Sequence, residues 1–298
     1  MIKTENLTKL FGDSVALENI NCTIADGCIY GMVGSNGAGK STFLRTISGV
    51  YKPDSGSATL DGEEIWENPN AKSKIAFVPD DLYYIPGGSL ERMAKMYRSL
   101  YPQFDTDKFN KLTADLELPK NRGINTFSKG MRRQALTILA LSCSPKYVFF
   151  DETFDGLDPV MRNYIKQLIC EDIVDRGATA IITSHSLREL EDTCDQLALL
   201  HRGGLVLESD ITDLKTTKYK IQIAFTEDYD RDKFKNIDIV RFTKQGSVAN
   251  MIVKGSKEET VMKLSAMNPA LLDVLPLTLD EVFTYEMEAL GYKFNLDD

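Results

Sequence analysis

From Ile2 to about Leu207, short β-branched or aromatic runs alternate with longer segments of helical spacing. Cys28 to Val33, Lys74 to Val78, Tyr147 to Phe150 and Ala178 to Thr183 read as strands buried on both faces. Such alternation predicts an α/β core. Between Leu82 and Cys143 the strand runs give way to helical periodicity, broken near Tyr101-Pro102, Pro119 and the turn from Asn121 to Asn125, which predicts a helical insertion subdomain over about 82–143. Its most apolar stretch, Ala135 to Cys143, is about half of the ~20 residues a membrane helix needs and is flanked by Arg132, Arg133 and Lys146, so it reads as a buried core helix.

After Leu207 the pattern changes. Tyr219, Ile221, Ile223 and Phe225 alternate with polar neighbours, and Val248, Asn250 and Ile252 suggest another half-exposed strand. Ser256-x-x-Glu259 and Thr278-x-x-Glu281 have the form of capping boxes, in which hydroxyl and carboxylate reciprocally satisfy the free amides of a first helical turn. The second of these helices presents Leu279, Val282, Phe283, Met287 and Leu290 on one face. The expected organisation is an α/β domain over 1–212 followed by a small α+β domain over 215–298, beginning near Lys215.

Composition narrows the function classes. The 298 residues are 43% hydrophobic, enough for a sizeable core without metals or disulfides. Lys and Arg number 35 against 44 Asp and Glu, a net charge of −9, so the basic surface that nucleic-acid binding requires is not expected. Five widely spaced cysteines, with no Cys-x-x-Cys pair, read as reduced thiols rather than a disulfide framework or a zinc site. The opening residues lack the basic segment and apolar core of a signal peptide, and no uncharged apolar stretch approaches a membrane span. The expectation is a soluble chain whose membrane role, if it has one, comes through a partner.

The first chemical signal is Gly34-Ser35-Asn36-Gly37-Ala38-Gly39-Lys40-Ser41, which matches G-x-x-x-x-G-K-[ST] between a strand-like and a helix-like run. Its glycines let backbone amides turn inward around phosphates, the helix N-terminus adds partial positive charge, Lys40 reaches the β- and γ-phosphates, and Ser41 offers a hydroxyl to Mg²⁺. With Thr42 these residues form the candidate nucleotide cradle. Alone, the loop leaves kinase, GTPase, helicase and transport ATPase open. A second signal lies where the apolar run from Tyr147 to Phe150 ends in Asp151-Glu152: Asp151 is placed to hold Mg²⁺ through water and Glu152 to polarise an attacking water, although an acidic pair can also simply cap a turn.

Between these elements lies Phe127-Ser128-Lys129-Gly130-Met131, and beyond them Asp155-Gly156-Leu157-Asp158-Pro159 and Thr183-Ser184-His185. In this order the set resembles the ATP-binding cassette (ABC) ATPases, the engine subunits of ABC transporters, over about residues 2 to 208. The resemblance implies ATP and Mg²⁺ as ligands. It also implies that Ser128 and Gly130 contact ATP held by an opposite cassette, that His185 is the switch histidine at the γ-phosphate, and that Asp158 touches the partner's phosphate loop. Phe11 matches the aromatic that stacks on adenine, a position a core residue would equally fill. Ser128 reads also as a simple helix N-cap, and the two roles are compatible.

Three departures from the family pattern stand out. Asp80 replaces the usual Gln after Val78-Pro79, and is expected to serve the metal and the membrane-partner contact. Lys129 and Met131 stand where Gly and Gln are commoner, and Thr153-Phe154 where Pro-Thr is frequent. The reading is an ATPase subunit of a bacterial-type exporter. It would act as a homodimer or heterodimer of cassettes beneath a separate integral-membrane permease, on the inner face of the cell membrane. The tail carries the exporter assignment, because its last helix, Leu279-Asp-Glu-Val-Phe283, is similar to tails of exporter ATPases. The alternative is a soluble ATPase that uses ATP-driven dimerisation to bind a protein partner.

Overall fold

The computed structural model describes residues 1–212, 218–275 and 277–289, of which 218 and 285–289 by backbone alone. Lys215 and Leu290 therefore lie outside the described residues, and the side chain of Met287 is not described. The chain divides into two compact units, one of Met1–Glu208 and one from Ser209 onward.

The first unit is built on ten strands: β1 (Ile2–Phe11), β2 (Ser14–Ile24), β3 (Ile29–Val33), β4 (Ser55–Leu60), β5 (Glu63–Glu64), β6 (Ile75–Val78), β7 (Tyr147–Asp151), β8 (Thr179–Ser184), β9 (Gln196–His201) and β10 (Gly204–Asp210). Six of them form a central sheet in the order β10-β9-β3-β8-β7-β6, and β9, β3, β8, β7 and β6 run parallel. Every residue of β3, β7 and β8 is buried, so these strands are covered on both faces and their sequences are continuous apolar runs. Their limits fall within a residue of those the hydrophobic runs predict. The mixed α/β class with a phosphate-loop core is the one expected from the sequence.

A second, antiparallel sheet, β2-β1-β4-β5, is not resolved by the sequence pattern. The reason is local. Asn6 (φ 48°) and Asn19 (φ 50°) adopt left-handed backbone, and the β1–β2 register shifts between Thr4 and Leu7. Each irregularity resets the in–out alternation, so a period of two never accumulates. The asparagines hold the bulge: the Asn6 amide donates to Asn21 Oδ1 (2.9 Å), and Asn21 Nδ2 donates to Asn6 Oδ1 (3.2 Å). Helix α1 (Lys40–Ile47) contributes Phe43, Leu44 and Ile47 to one core that also contains Leu7 and Leu17 from this sheet and Tyr30, Phe149 and Ile181 from the central one.

After the short α2 (Pro69–Ser73), the helical insertion comprises α3 (Leu90–Leu100), α4 (Thr106–Asp115) and α5 (Lys129–Ser142). From Arg133 to Ser142 every residue of α5 is buried, as its apolar run requires. Helices α6 (Pro159–Arg176) and α7 (Leu187–Leu190) follow β7 and β8. All five cysteines are free thiols, and Cys22, Cys143 and Cys194 are buried.

The second unit contains a sheet ordered β12-β13-β11-β14, from β11 (Lys218–Ala224), β12 (Ile239–Gln245), β13 (Val248–Lys254) and β14 (Leu271–Leu275), all pairs antiparallel, with α8 (Lys257–Ser265) and α9 (Leu279–Ala289). Tyr219, Ile221, Ile223 and Phe225 face its core with Met251, Val253, Phe234 and Leu264. In β13 the alternation differs from the sequence reading. Ala249, Met251 and Val253 point to this core, and Val248 and Asn250 are half-buried on the other face, where Ile252 is also covered.

The two capping boxes are unequal. Around Thr278 the box is complete: its amide donates to Glu281 Oε2 (3.1 Å) and its hydroxyl accepts from the Glu281 amide (3.3 Å). Ser256 accepts from the Glu259 amide (3.4 Å), but its hydroxyl donates to Glu258 Oε2, so only half of the predicted exchange forms.

Candidate functional site

Parallel strands send their C-terminal ends to one edge, and three adjacent strands of the central sheet end in the residues the sequence singles out. Val33 of β3 pairs with Ser184 of β8, and Thr183 of β8 pairs with Asp151 of β7. Gly34, Glu152 and His185 therefore leave the sheet side by side, where α/β folds place their ligands.

The loop between β3 and α1 is closely fitted. A side chain at Gly34 would meet the Leu200 carbonyl at 2.4 Å, and one at Gly39 (φ 109°) would meet the Ala16 carbonyl at 2.6 Å, so both positions demand glycine. Lys40 is only 5% exposed. Its ammonium donates to the carbonyls of Gly34 (2.6 Å) and Ser35 (3.3 Å) and pairs with Glu152 Oε1 at 3.1 Å. The other Glu152 oxygen contacts His185 Nδ1 at 3.0 Å and accepts from the His185 amide at 3.3 Å. One carboxylate thus spans the phosphate-loop lysine and the histidine at the end of β8. Glu152 has φ 47°, a left-handed conformation that costs a non-glycine residue roughly 1–2 kcal/mol, and its amide donates to the Thr183 carbonyl and hydroxyl, both at 3.2 Å. Backbone strain at a strand end that carries a charge cluster is a mark of functional sites.

Asp151 is fully buried. Its Oδ1 accepts from the hydroxyls of Ser41 (3.0 Å) and Thr183 (2.7 Å), whereas its Oδ2 is buried without a hydrogen-bond partner. An orphaned carboxylate oxygen beside a serine hydroxyl at the phosphate loop fits Mg²⁺, a hard cation usually held by one or two carboxylates together with substrate phosphates. Among the described residues no group of three or more His, Cys, Asp or Glu converges on a cation position.

A cavity of about 200 Å³ opens here, lined by Ala16, the loop from Asn36 to Thr42, Asp80 and Glu152. Asp80 belongs to the rim, but its carboxylate is engaged: Oδ1 accepts from Arg133 Nη2, an ion pair that joins the rim to α5. From sequence, Asp80 is expected at the metal and Arg133 merely flanks an apolar run; in the structure the two side chains pair. The spacing that places Arg133 inward, on the face of α5 shared with Leu136, Thr137 and Ala140, was the available signal. Thr183, which orients both Asp151 and Glu152, carries no signal of that role in the sequence.

The remaining sequence-selected residues stand apart from this cavity. Ser128 caps α5, accepting from the Met131 amide at 3.1 Å, and Asp158 caps α6, accepting from the amides of Val160 and Met161, both at 3.0 Å. Gly130 packs close to the turn after β7: a Cβ there would lie 3.2 Å from the Gly156 carbonyl. Lys129 pairs with Asp155 at 2.6 Å, and this hydrogen bond holds the Asp155 carboxyl below its ordinary pKa. Phe11 is 47% exposed, which removes the core alternative. Its ring meets Tyr51 edge-on at 5.2 Å, and Lys9 stands over it. Ser186-x-x-Glu189, before α7, has the sequence form of a capping box but does not make one. Ser186 makes no side-chain cap, and Glu189 is drawn away to the Ser184 hydroxyl (2.6 Å) and Arg162 (3.3 Å).

Comparison with known proteins bears on the family and the fold. The family model described as ABC transporter matches residues 17–155. The ABC transporter ATP-binding protein YtrB of Bacillus subtilis is 30% identical over 283 residues, covering 95% of this chain and 97% of its own, so the alignment extends well into the second unit. The linearmycin resistance ATP-binding protein LnrL of the same organism is 31% identical, covering 72% of this chain and 70% of its own. The bacitracin transport ATP-binding protein BcrA of Bacillus licheniformis is 30% identical, covering 74% and 73%. In fold, a bacterial ABC transporter cassette solved as a dimer matches with a TM-score of 0.65 at 23% identity, covering 71% of this chain and 99% of that one.

Proposed function

This chain belongs to the family of ABC transporter ATP-binding proteins, and we propose that it hydrolyses ATP to drive export through a separate membrane permease. The observation that carries the reading is the Glu152 carboxylate, held between Lys40 and His185 one residue beyond the buried Asp151. Loop amides from Asn36 to Thr42 and the N-terminus of α1 receive the phosphates, and Lys40 exchanges its loop carbonyls for β- and γ-phosphate oxygens. Ser41 and Asp151 would hold Mg²⁺, which would supply charge neutralisation at the phosphates. Glu152, freed as Lys40 turns to the nucleotide, orients the attacking water, and His185 contacts the γ-phosphate and steadies Glu152. Phe11, exposed at the end of β1, stacks on adenine.

Ser128 and Gly130 at the start of α5, and Asp158 at the start of α6, stand outside the cavity that Lys40 lines. They serve the ATP of a second cassette, so two chains sandwich the nucleotides and hydrolysis reopens the pair. The names of LnrL and BcrA, a resistance and a transport protein, support export. No described helix is long and apolar enough to cross a membrane, in keeping with a permease on another chain.

The test is affinity purification of the tagged chain from detergent-solubilised membranes, with ATPase assayed on the eluate. Recovery of a polytopic membrane protein with Mg²⁺-dependent turnover that Glu152→Gln abolishes is expected. Recovery solely with a soluble protein, in an ATP-dependent manner, replaces the transporter reading with that of an ATP-switched regulator.

A further inference from the structure

Among the described residues Arg133 is the largest fully buried side chain, 1% exposed at the head of the buried stretch of α5. A buried guanidinium is costly unless its hydrogens are used and its charge is matched. Here Nη1 donates to the carbonyls of Pro79 (3.2 Å) and Asp151 (3.4 Å) and Nη2 donates to the Asp80 carboxylate, while Nε is buried without a hydrogen-bond partner, so the charge is matched but one hydrogen is not. The two carbonyls belong to the ends of neighbouring strands, since Val78 of β6 pairs with Phe150 of β7. The anion matching the charge is Asp80, which is half exposed and lines the nucleotide cavity.

We propose that Arg133 is a positioning residue that makes an aspartate tolerable at position 80, cancelling its charge towards the phosphates and fixing its carboxylate at the cavity rim. The inference rests on the ATP-binding reading of the cavity. Asp80 and Glu152 line the cavity and Asp151 stands behind Ser41, three carboxylates against the lining cation Lys40 and the buried Arg133. Removing Arg133 leaves Lys40 alone to offset all three while a polyphosphate approaches, in a partly desolvated site where charge interactions are strong. Because one guanidinium grips both strand ends and stands five residues into α5, about 7.5 Å along its axis from Ser128, it also ties the start of that helix to the cavity rim.

A charge-cancelling role and a merely structural one differ in the sign of a double-mutant cycle. Arg133→Gln keeps an amide donor for the carbonyls but strands the Asp80 charge. Asp80→Gln strands the guanidinium instead, and the double variant removes both charges together. The experiment is calorimetric titration of ATP, with and without Mg²⁺, into wild type and the three variants, with melting temperatures measured alongside. Arg133→Gln is expected to weaken ATP binding about tenfold, more without Mg²⁺ than with it. Asp80→Gln should lower the melting temperature, and the ATP affinity it shows by itself completes the cycle against which the double variant is read. The double variant should return to within about threefold of the wild-type affinity. Equal weakening in Arg133→Gln and the double variant overturns the proposal, because Asp80 would then be irrelevant to the loss. If wild type itself binds no ATP, the nucleotide reading of the cavity fails and this inference fails with it.

Discussion

The central sheet of the first unit and the antiparallel sheet of the second have similar secondary structure and opposite chemical character. In the first, the parallel strands β3, β7 and β8 all finish at one edge, and that edge gathers Gly34, Lys40, Asp151, Glu152 and His185. In the second, each neighbour reverses direction, so no edge collects strand ends of one kind. Its charged groups pair locally, Lys220 with Glu281 at 2.6 Å and Lys244 with Asp228. Its aromatic residues Phe225, Tyr229 and Phe234 pack on each other. Strand direction decides where a fold is able to concentrate reactive side chains, and the chemistry of this protein follows it.

The contrast is broken most forcefully at Glu152. Replacing it with Gln should lower the ATPase rate about 10²- to 10⁴-fold while ATP still binds, as steady-state turnover and a binding titration on one preparation would show. The matching change in the second unit is Met251→Ala, in the middle of its core. It should cost about 2–5 kcal/mol in denaturant unfolding followed on that unit and leave ATP affinity within about twofold. A fall in affinity as large as that from a cavity substitution would erase the division of labour.

Smaller effects sharpen the same comparison. Thr278→Ala removes a complete capping box and should cost about 1 kcal/mol, whereas Ser256→Ala, which loses one long hydrogen bond, should cost less; paired urea melts order them. The smallest effect concerns acid stability of the first unit. Burial alone would raise the Asp61 pKa, but hydrogen bonds from Lys146, Tyr147 and Lys74 outweigh it and hold the carboxyl below its ordinary value. A depressed folded-state pKa stabilises at pH above the unfolded value near 4, and the contribution is lost as pH falls below it. Asp61→Asn should therefore lower stability at neutral pH and flatten the loss of stability below about pH 4 in pH-dependent melts.

What the sequence discloses of this molecule is what is local. The run from Gly34 to Ser41 and the strand ending in Asp151-Glu152 are each contiguous, so residue type and order suffice to recognise them. The ion pair between Asp80 and Arg133 spans 53 positions, and neither residue signals the other until α5 and β6 meet. The β1–β2 sheet stayed hidden because bulges at Asn6 and Asn19 break the alternation on which strand recognition depends. At Ser186 a locally valid capping signal lost to tertiary partners, since Glu189 gains more from the Ser184 hydroxyl and Arg162 than from a helix amide. Glu152 itself was legible as a carboxylate at a strand end, but its grip on both Lys40 and His185 follows from strand adjacency, which no single segment encodes.

The central claim is that this cavity is half of a paired nucleotide site whose chemistry turns on Glu152. Light scattering coupled to size exclusion, on wild type and Glu152→Gln with and without Mg-ATP, tests it most directly. Glu152→Gln should shift from monomer to dimer when Mg-ATP is added, while its turnover collapses relative to wild type. A variant that binds Mg-ATP and remains a monomer at every concentration, beside a wild type that hydrolyses ATP as a monomer, would contradict the account.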